Sequence, residues 1–315
     1  MNKALLFGGS GFIGSHMLKM NAVSGFIFDI KKSIIGHKEF EYVDVRNPIN
    51  TRYKPTPEDV IFNLAAVLKN PGHEPVEYYE TNMLCAENVC NYARTHGINT
   101  IVFTSTMSVY GTSESEKTEE SLPMPDTPYG ISKRIAELIH EKWLNEDIEN
   151  RKLIIVRPVV VFGQWEDGNY TRLLHAIHKN RFFYPGRKDT IKASIYVKDL
   201  AKALFELPDK LSNGLHLYNA GNLKNPTITE IVKTMANETG KSSKVLVLNK
   251  KLLLLAGFVL KNFFGKKEYD PDRIKKLTIS TNINSKKLHE LVKFDFSLEE
   301  GVKDWLKDIN PKKSL

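Results

Sequence analysis

The chain has 315 residues, of which 41% are hydrophobic and 26% charged, and its formal net charge is +8. These values exclude a disordered or fibrous protein and allow one large or two ordinary domains with a substantial core. The lysine runs are short and spread along the chain, which favours solvated surface over a nucleic-acid site. No nucleic-acid partner is therefore predicted, whereas a diphosphate ligand would suit the charge.

The first predicted element is an apolar strand over residues 3–7, which runs into a glycine-rich turn. Gly11 and Gly14 complete a dinucleotide-type glycine pattern with either Gly8 or Gly9, and a helix pattern follows. Such glycines let the backbone turn tightly and approach a pyrophosphate at the helix N-terminus. The motif predicts a dinucleotide site, and a glycine-rich turn without a ligand is the alternative.

The residue that ends the second apolar run bears on the choice of dinucleotide. Asp29 follows the first glycine by about 20 residues, where a carboxylate accepts hydrogen bonds from the adenosine ribose. Its charge repels a 2′-phosphate and so favours NAD over NADP. The neighbouring Lys31 and Lys32 weaken that preference.

Strand-like runs alternate with helical patterns through the first half of the chain. The predicted strands are 3–7, 26–30, 40–43, 60–64, 100–104 and 153–156. Alternation of this kind predicts an α/β fold, a Rossmann-type doubly wound parallel sheet covered by helices on both faces. Ligands of such sheets bind at the carboxyl ends of the strands.

The composition of the sequence changes after residue 160, where the predicted loops are longer and rich in glycine and polar residues. We predict an NAD-binding domain over residues 1–160 and a smaller α/β substrate-binding lobe over 161–315. A strand and helix pattern at about 191–208 is expected to rejoin the first domain.

A second motif begins at Thr127, which can cap a helix that has Pro128 at its first position. Tyr129 and Lys133 are four residues apart and project from one face of that helix. A nearby ammonium favours the phenolate of a tyrosine, whose ordinary pKa is about 10, so the pair can move a proton. We expect four aliphatic side chains to form the buried stripe of the helix: Ile131, Ile135, Leu138 and Ile139.

The predicted strand 100–104 ends in a cluster of hydroxyl residues. Thr104, Ser105 and Thr106 lie at its end, and Ser108 follows. Clusters of this kind are often only turn chemistry. Here the glycine turn, the hydroxyl cluster and the Tyr129–Lys133 pair occur in one chain, which favours a catalytic site.

Other residues bear on metal sites and on location. Cys85 and Cys90 lack a metal-ligand spacing, so we expect packed, reduced thiols and no metal site. The first strand begins near Met1 and leaves no room for a secretory signal, so a cytoplasmic location is expected. An apolar stretch from Leu252 to Phe264 is too short to span a bilayer. We expect it to pack in the second lobe, with peripheral membrane contact as the alternative.

With these motifs in place, the chain resembles the extended short-chain dehydrogenase/reductase superfamily, and within it the NAD-dependent sugar-nucleotide epimerase/dehydratase family. The segments that carry the resemblance are 7–14, 63–66, 79–82, 103–111, 129–133, 157–163 and 196–200. The resemblance implies Thr106, Tyr129 and Lys133 as catalytic residues. The resemblance also implies cofactor contacts. At the pyrophosphate these are Gly8, Gly11, Phe12 and Ile13; Asp29 lies at the ribose, and Asp44 and Val45 lie at the adenine. Pro158 lies near the nicotinamide, and the cleft is lined by Leu64, Ala65, Ala66, Asn82, Thr104, Tyr129 and Lys133.

The second lobe resembles that of UDP-hexose and UDP-hexosamine 4-epimerases and of 4-keto-sugar reductases. That similarity implies substrate contacts by Thr106 and by four residues of the second lobe: Asn169, Arg187, Lys192 and Arg273. It also implies a homodimer in which the helices over 76–96 and 129–144 pair as a four-helix bundle.

Two departures from the family pattern narrow the activity. Met107 and Ser108 stand where 4,6-dehydratases carry an Asp-Glu pair, which disfavours dehydration. Leu68 stands where UDP-galactose 4-epimerases have a lysine, although Lys69 is adjacent. We therefore predict an NAD-dependent epimerase acting at C4 of a UDP-hexose or UDP-N-acetylhexosamine through a 4-keto intermediate. The alternatives are a 4-keto-sugar-nucleotide reductase using NADH or NADPH, and a non-catalytic dinucleotide-binding module.

Overall fold

The fold is described by a computed structural model for residues 3–21, 25–68, 73–243, 245–249, 251 and 278–308. The strands in these ranges are β1 (Ala4–Phe7), β2 (Gly25–Asp29), β3 (Phe40–Tyr42), β4 (Val60–Asn63), β5 (Thr100–Thr104), β6 (Lys152–Pro158), β7 (Val160–Phe162), β8 (Tyr184–Pro185), β9 (Ser194–Tyr196), β10 (Gly214–Ala220) and β11 (Val247–Leu248). The helices are α1 (Phe12–Asn21), α2 (Pro75–His96), α3 (Pro128–Asn145), α4 (Asn169–His178), α5 (Val197–Lys210), α6 (Ile228–Glu238), α7 (Lys286–His289) and α8 (Leu298–Asp308).

Seven of these strands form one parallel sheet, in the order β10-β6-β5-β4-β1-β2-β3. Strand β1 lies inside it and alternates between its two faces. Leu5 and Phe7 pack with α2 and α3, whereas Leu6 packs on the opposite face with α1 and α5. The sheet is thus buried on both faces, and the predicted doubly wound α/β fold is confirmed.

The six predicted strands of the sheet are present, with ends shifted by at most two residues. The seventh, β10, is absent from the prediction. It lies at the edge of the sheet, where Leu215 is 49% exposed, so its first half lacks the continuous apolar run of the inner strands. The parallel sheet therefore includes residues 214–220, which lie beyond the segment at about 191–208 that is expected to rejoin the first domain.

A separate buried cluster is rich in aromatic side chains, to which Phe162, Tyr170, Tyr196 and Trp305 contribute. The predicted strand near residue 194 is β9, which pairs in parallel with β7, and α5 after it packs against α1. The apolar stretch 252–264 lies outside the described residues. Within the described part, no helix is long and apolar enough to cross a membrane.

The predicted buried stripe of α3 is wrong. The helix instead buries Gly130, Ser132, Lys133, Ala136, Glu137, His140, Trp143 and Leu144. Leu138 is 47% exposed, and the three isoleucines of the expected stripe are only partly buried. The reason is that Lys133, Glu137 and His140 find partners on the sheet side, so these polar residues occupy the buried face of the helix.

Candidate active site

The glycine turn between β1 and α1 lies against the residue pair that follows β4. Gly8 has φ of +79°, and a Cβ there would lie 2.6 Å from Cα and N of Ala65. A Cβ on Gly14 would lie 2.5 Å from the carbonyl oxygen of Gly9. Gly11, by contrast, is exposed. Packing thus requires glycine at positions 8, 9 and 14, where a Cβ would lie within 3.0 Å of other atoms, and Gly11 leaves the N-terminus of α1 open to a ligand.

Asp29 and Ser10 flank the same turn. The Asp29 carboxylate accepts hydrogen bonds from the amide of Ser10 at 3.0 Å and from that of Lys31 at 3.1 Å. Burial raises the pKa of Asp29, and these hydrogen bonds oppose the rise. Ser10 Oγ is buried without a hydrogen-bond partner among the described residues. A carboxylate and an unpaired hydroxyl beside a helix N-terminus fit the ribose and pyrophosphate of a dinucleotide.

Asp44 and Val45 follow β3, at the expected adenine side of this turn. Val45 is buried, and its carbonyl accepts a hydrogen bond from Asn88 Nδ2 at 2.9 Å. The Asp44 carboxylate holds the guanidinium of Arg46 at 2.6 Å, which lowers the pKa of Asp44. Asp44 therefore stays ionised at neutral pH.

The other expected cofactor residues lie at or just after the carboxyl ends of neighbouring strands. They are Leu64, Ala65 and Ala66 after β4, Thr104 at the end of β5, and Pro158 at the end of β6. Phe12 and Ile13 begin α1. Asn82 of α2 accepts a hydrogen bond from the amide of Val67 at 2.9 Å and donates one to Ser132 Oγ at 2.9 Å. Asn82 therefore connects the chain after β4 to α3, the helix that carries Tyr129 and Lys133.

Thr106 and Tyr129 form the polar centre of the site. Thr106 Oγ1 accepts a hydrogen bond from the amide of Ser108 at 3.2 Å. Helix α3 begins at its predicted cap, since Thr127 Oγ1 accepts the amide of Gly130 at 3.1 Å. Burial raises the pKa of Tyr129 to about 12, and the nearby Thr106 side chain opposes this rise. Tyr129 is thus a neutral phenol at neutral pH, and to act as a base it needs a nearby positive charge.

Lys133 is the basic residue one helical turn along α3 from Tyr129. Its side chain is buried, and Nζ lies 4.1 Å from the centroid of the Phe103 ring. Burial lowers the pKa of Lys133 to about 8. The ammonium form therefore still prevails at neutral pH.

A buried ion pair under the site is absent from the sequence prediction. Arg157, beside Pro158 at the end of β6, donates two hydrogen bonds to the Glu137 carboxylate at 2.8 and 2.7 Å. Glu137 also accepts a bond from Arg134 at 2.8 Å. Burial raises the pKa of Glu137, but the bonds and charge of Arg157 together with Ser105 and Arg134 outweigh it, and that pKa lies below its ordinary value. The spacing of Glu137 four residues after Lys133 could have placed Glu137 on the same helix face, but it does not identify Arg157 as the partner.

The same arginine reaches the hydroxyl-bearing turn. Arg157 donates to the Tyr110 hydroxyl at 3.0 Å, and Tyr110 donates to Asn219 Oδ1 of β10 at 2.7 Å. Tyr110 ends the short 3₁₀ turn that Thr106 caps. The network thus holds the positions of Thr106, α3 and the end of β6 relative to one another.

In the second lobe, the structure brings together two of the four expected substrate residues. Arg187 pairs with Glu114 at 2.9 Å and with Asp189 at 2.8 Å. Lys192 Nζ donates to the carbonyl of Ile279 at 2.7 Å, and burial lowers its pKa to about 8. The amide of Ser280 donates to the same Glu114 at 3.0 Å, so these groups are neighbours.

The other two expected residues are placed differently. Asn169 is exposed at the start of α4, where it accepts a hydrogen bond from Arg172 at 3.1 Å. Arg273 and Lys69 lie outside the described residues. Leu68 is 62% exposed.

Comparison with known proteins gives a family and a fold. Residues 4–221 match the model of the NAD dependent epimerase/dehydratase family. Among curated proteins, the chain is 27% identical to the N-acetyl-alpha-D-glucosaminyl-diphospho-ditrans,octacis-undecaprenol 4-epimerase of Escherichia coli O157:H7, over 91% of this chain and 89% of that protein. It is 26% identical to UDP-glucose 4-epimerase 2 of Oryza sativa subsp. japonica, over 77% of this chain and 71% of that one.

Solved structures share the whole architecture. The UDP-glucose 4-epimerase of Thermotoga maritima superposes with a TM-score of 0.77 at 20% identity and covers 97% of both chains. The UDP-N-acetylglucosamine 4-epimerase of Bacillus cereus superposes with a TM-score of 0.74 at 20% identity, covering 99% of this chain and 97% of that one. At such low identity the likeness shows the fold alone.

Proposed function

Because the chain belongs to the NAD-dependent epimerase/dehydratase family, we propose that it interconverts two sugars that differ in configuration at C4 and are linked to a diphosphate. NAD is its cofactor. The observation that carries the proposal is the arrangement of Thr106, Tyr129 and Lys133 at the carboxyl end of β5, beside a glycine turn that fits a dinucleotide.

The residues of the site divide the chemistry between them. Bound NAD supplies an acceptor and donor for the hydride on C4. Tyr129 Oη takes the proton of the C4 hydroxyl and returns it after the sugar has turned over. Lys133 is positive at neutral pH, and we assign it the role of stabilising the phenolate form of Tyr129. Thr106 holds the same oxygen through its hydroxyl, and Met107 and Ser108 leave no acid-base pair for dehydration.

Two classes of diphosphate carrier fit the relatives. The rice and bacterial 4-epimerases above are named for UDP-sugars, and we place a UDP-hexose or UDP-N-acetylhexosamine first. A second candidate is a sugar diphosphate on a polyprenol, because the E. coli relative that matches over nine-tenths of this chain is named for such a substrate. In both cases, Arg187 and Lys192 are the cations that we assign to the diphosphate.

The arrangement of lobes and chains belongs to the same proposal. Residues 1–160, together with 191–208, form the lobe that binds the cofactor. The rest of 161–315 supplies the remaining substrate contacts, except that β10 belongs to the sheet of the first lobe. A homodimer is supported by the outward faces of α2 and α3, which pack together and leave Leu84 44% and Leu138 47% exposed. A cytoplasmic location stays a prediction from the sequence.

The experiment is an assay of the purified protein with NAD on UDP-N-acetylglucosamine, UDP-glucose and a polyprenyl-diphosphate-linked N-acetylglucosamine. The expected result is a mixture of C4 epimers from one of them, with no net change in NADH. Tyr129→Phe should lower the rate at least about 100-fold, the usual contribution of a general acid-base group. Stoichiometric consumption of NADH or NADPH with a 4-keto sugar would instead establish the reductase. Unchanged turnover by Tyr129→Phe would remove Tyr129 from the chemistry.

A further inference from the structure

A small two-stranded ribbon in the second lobe presents apolar side chains to solvent. The ribbon consists of β8 and β11 with their flanking residues, 183–186 and 246–248. Tyr184 donates its amide to the carbonyl of Leu246 at 2.9 Å, and Gly186 donates to that of Leu248 at 2.9 Å. Leu246 is 76% exposed, Val247 47% and Phe183 40%. Exposed aliphatic and aromatic side chains clustered on one short element mark an interaction surface.

The positive charge of the protein is concentrated in the two sequence stretches that this ribbon joins. Residues 169–188 contain five lysines and arginines, and residues 239–267 contain seven lysines, whereas neither stretch contains an aspartate or glutamate. These twelve positive charges exceed the net +8 of the whole chain, so the remaining residues are together net negative. The ribbon is therefore flanked in the sequence by strongly basic stretches.

The basic side chains lie close to the apolar ones in the chain. Arg181 and Lys188 are exposed on the two sides of β8, and Lys251 is exposed just after β11. The sequence that follows Lys251 is Leu-Leu-Leu-Leu-Ala-Gly-Phe-Val-Leu, which continues the apolar composition of β11. An acidic protein or a nucleic acid would match the charge and leave the aliphatic side chains exposed to water.

We propose that the β8–β11 ribbon docks on an anionic lipid bilayer. Leu246, Val247 and Phe183 would enter the boundary between headgroups and acyl chains, while Arg181, Lys188 and Lys251 contact anionic headgroups. Docking on the bilayer does not depend on the proposed epimerase activity. The consequence of docking for the choice of substrate does rest on that proposed function. An enzyme held at the bilayer meets a polyprenyl-linked sugar diphosphate where that lipid resides, which favours the second class of substrate.

The test is co-sedimentation of the full-length protein with sucrose-loaded vesicles of phosphatidylcholine and phosphatidylglycerol, and with vesicles of phosphatidylcholine alone. We expect binding to the anionic vesicles that weakens as salt is added. Val247→Glu should lower the vesicle affinity about tenfold, because it removes an inserted side chain and adds a repelled charge. Ile148→Glu is the matched control, since Ile148 is also 47% exposed but lies in the first lobe.

The outcomes separate docking from catalysis. Equal binding by Val247→Glu and Ile148→Glu, or no binding of the wild type to anionic vesicles, would overturn the proposal. Both variants should bind NAD as the wild type does, because neither position lies near the glycine turn. Vesicle binding needs no turnover, so failure of the epimerase assay would leave this result independent.

Discussion

At the level of single residues, Lys133 is a buried cation whose charge destabilises the folded state. Its pKa falls from 10.5 to about 8, so below pH 8 the charge is present in both states and destabilises the folded one. Lys133→Met should therefore raise the free energy of unfolding at pH 7 by at most roughly 3 kcal/mol, and with it the melting temperature. The same substitution should abolish turnover. Between pH 8 and 10.5 the wild type loses the buried charge, and the advantage of the variant should shrink. Thermal unfolding at pH 7 and pH 10 measures this, and a variant less stable than the wild type at pH 7 contradicts it.

Also at this scale, the sequence predicts some roles and misses others for a physical reason. Tyr129 and Lys133 share one helix, so their spacing alone places them on one face. The pair of Glu137 with Arg157 joins a helix to a strand, and its bidentate geometry depends on how the two pack. Local spacing carries no information on that contact.

At the level of structural elements, the turn between β1 and α1 needs glycine for two reasons that can be tested separately: backbone conformation and steric contact. Gly8 and Gly240 both have positive φ, +79° and +64°, but of these two only Gly8 has other atoms within 4 Å of the place where a Cβ would lie. Gly8→Ala and Gly240→Ala should each lose about 1 kcal/mol from the left-handed conformation. Only Gly8→Ala should also push the turn away from Ala65 and weaken NAD binding, by about tenfold or more, as measured by calorimetry. Equal NAD affinity in the two variants would show that the contact with Ala65 does not shape the site.

Elements differ in how well the sequence predicts them. The inner strands are continuous apolar runs because helices cover both of their faces. Strand β10 has one neighbour and an exposed first half, so its pattern is ambiguous and the prediction omits it. The predicted buried side of α3 is wrong because its polar residues have partners that only the folded chain provides.

At the scale of the whole molecule, the half-exposed aliphatic residues of α2 and α3 are explained by the proposed dimer. Leu138→Asp should convert a dimer into a monomer, because a carboxylate would be buried without a partner at the interface. Ile148→Asp is the control, being equally exposed at 47% but located just beyond α3. Light scattering after gel filtration measures both, and a monomeric wild type or a dimeric Leu138→Asp would contradict the dimer.

The proposed epimerase mechanism requires that the C4 hydride leaves the sugar and returns to the same carbon within one binding event. A substrate that carries deuterium on C4 tests this most directly, with the product analysed by NMR and mass spectrometry. We expect that the epimer formed keeps the deuterium on C4 and that Tyr129→Phe forms it at least about 100-fold more slowly. Deuterium released into free NADH or into water would contradict it.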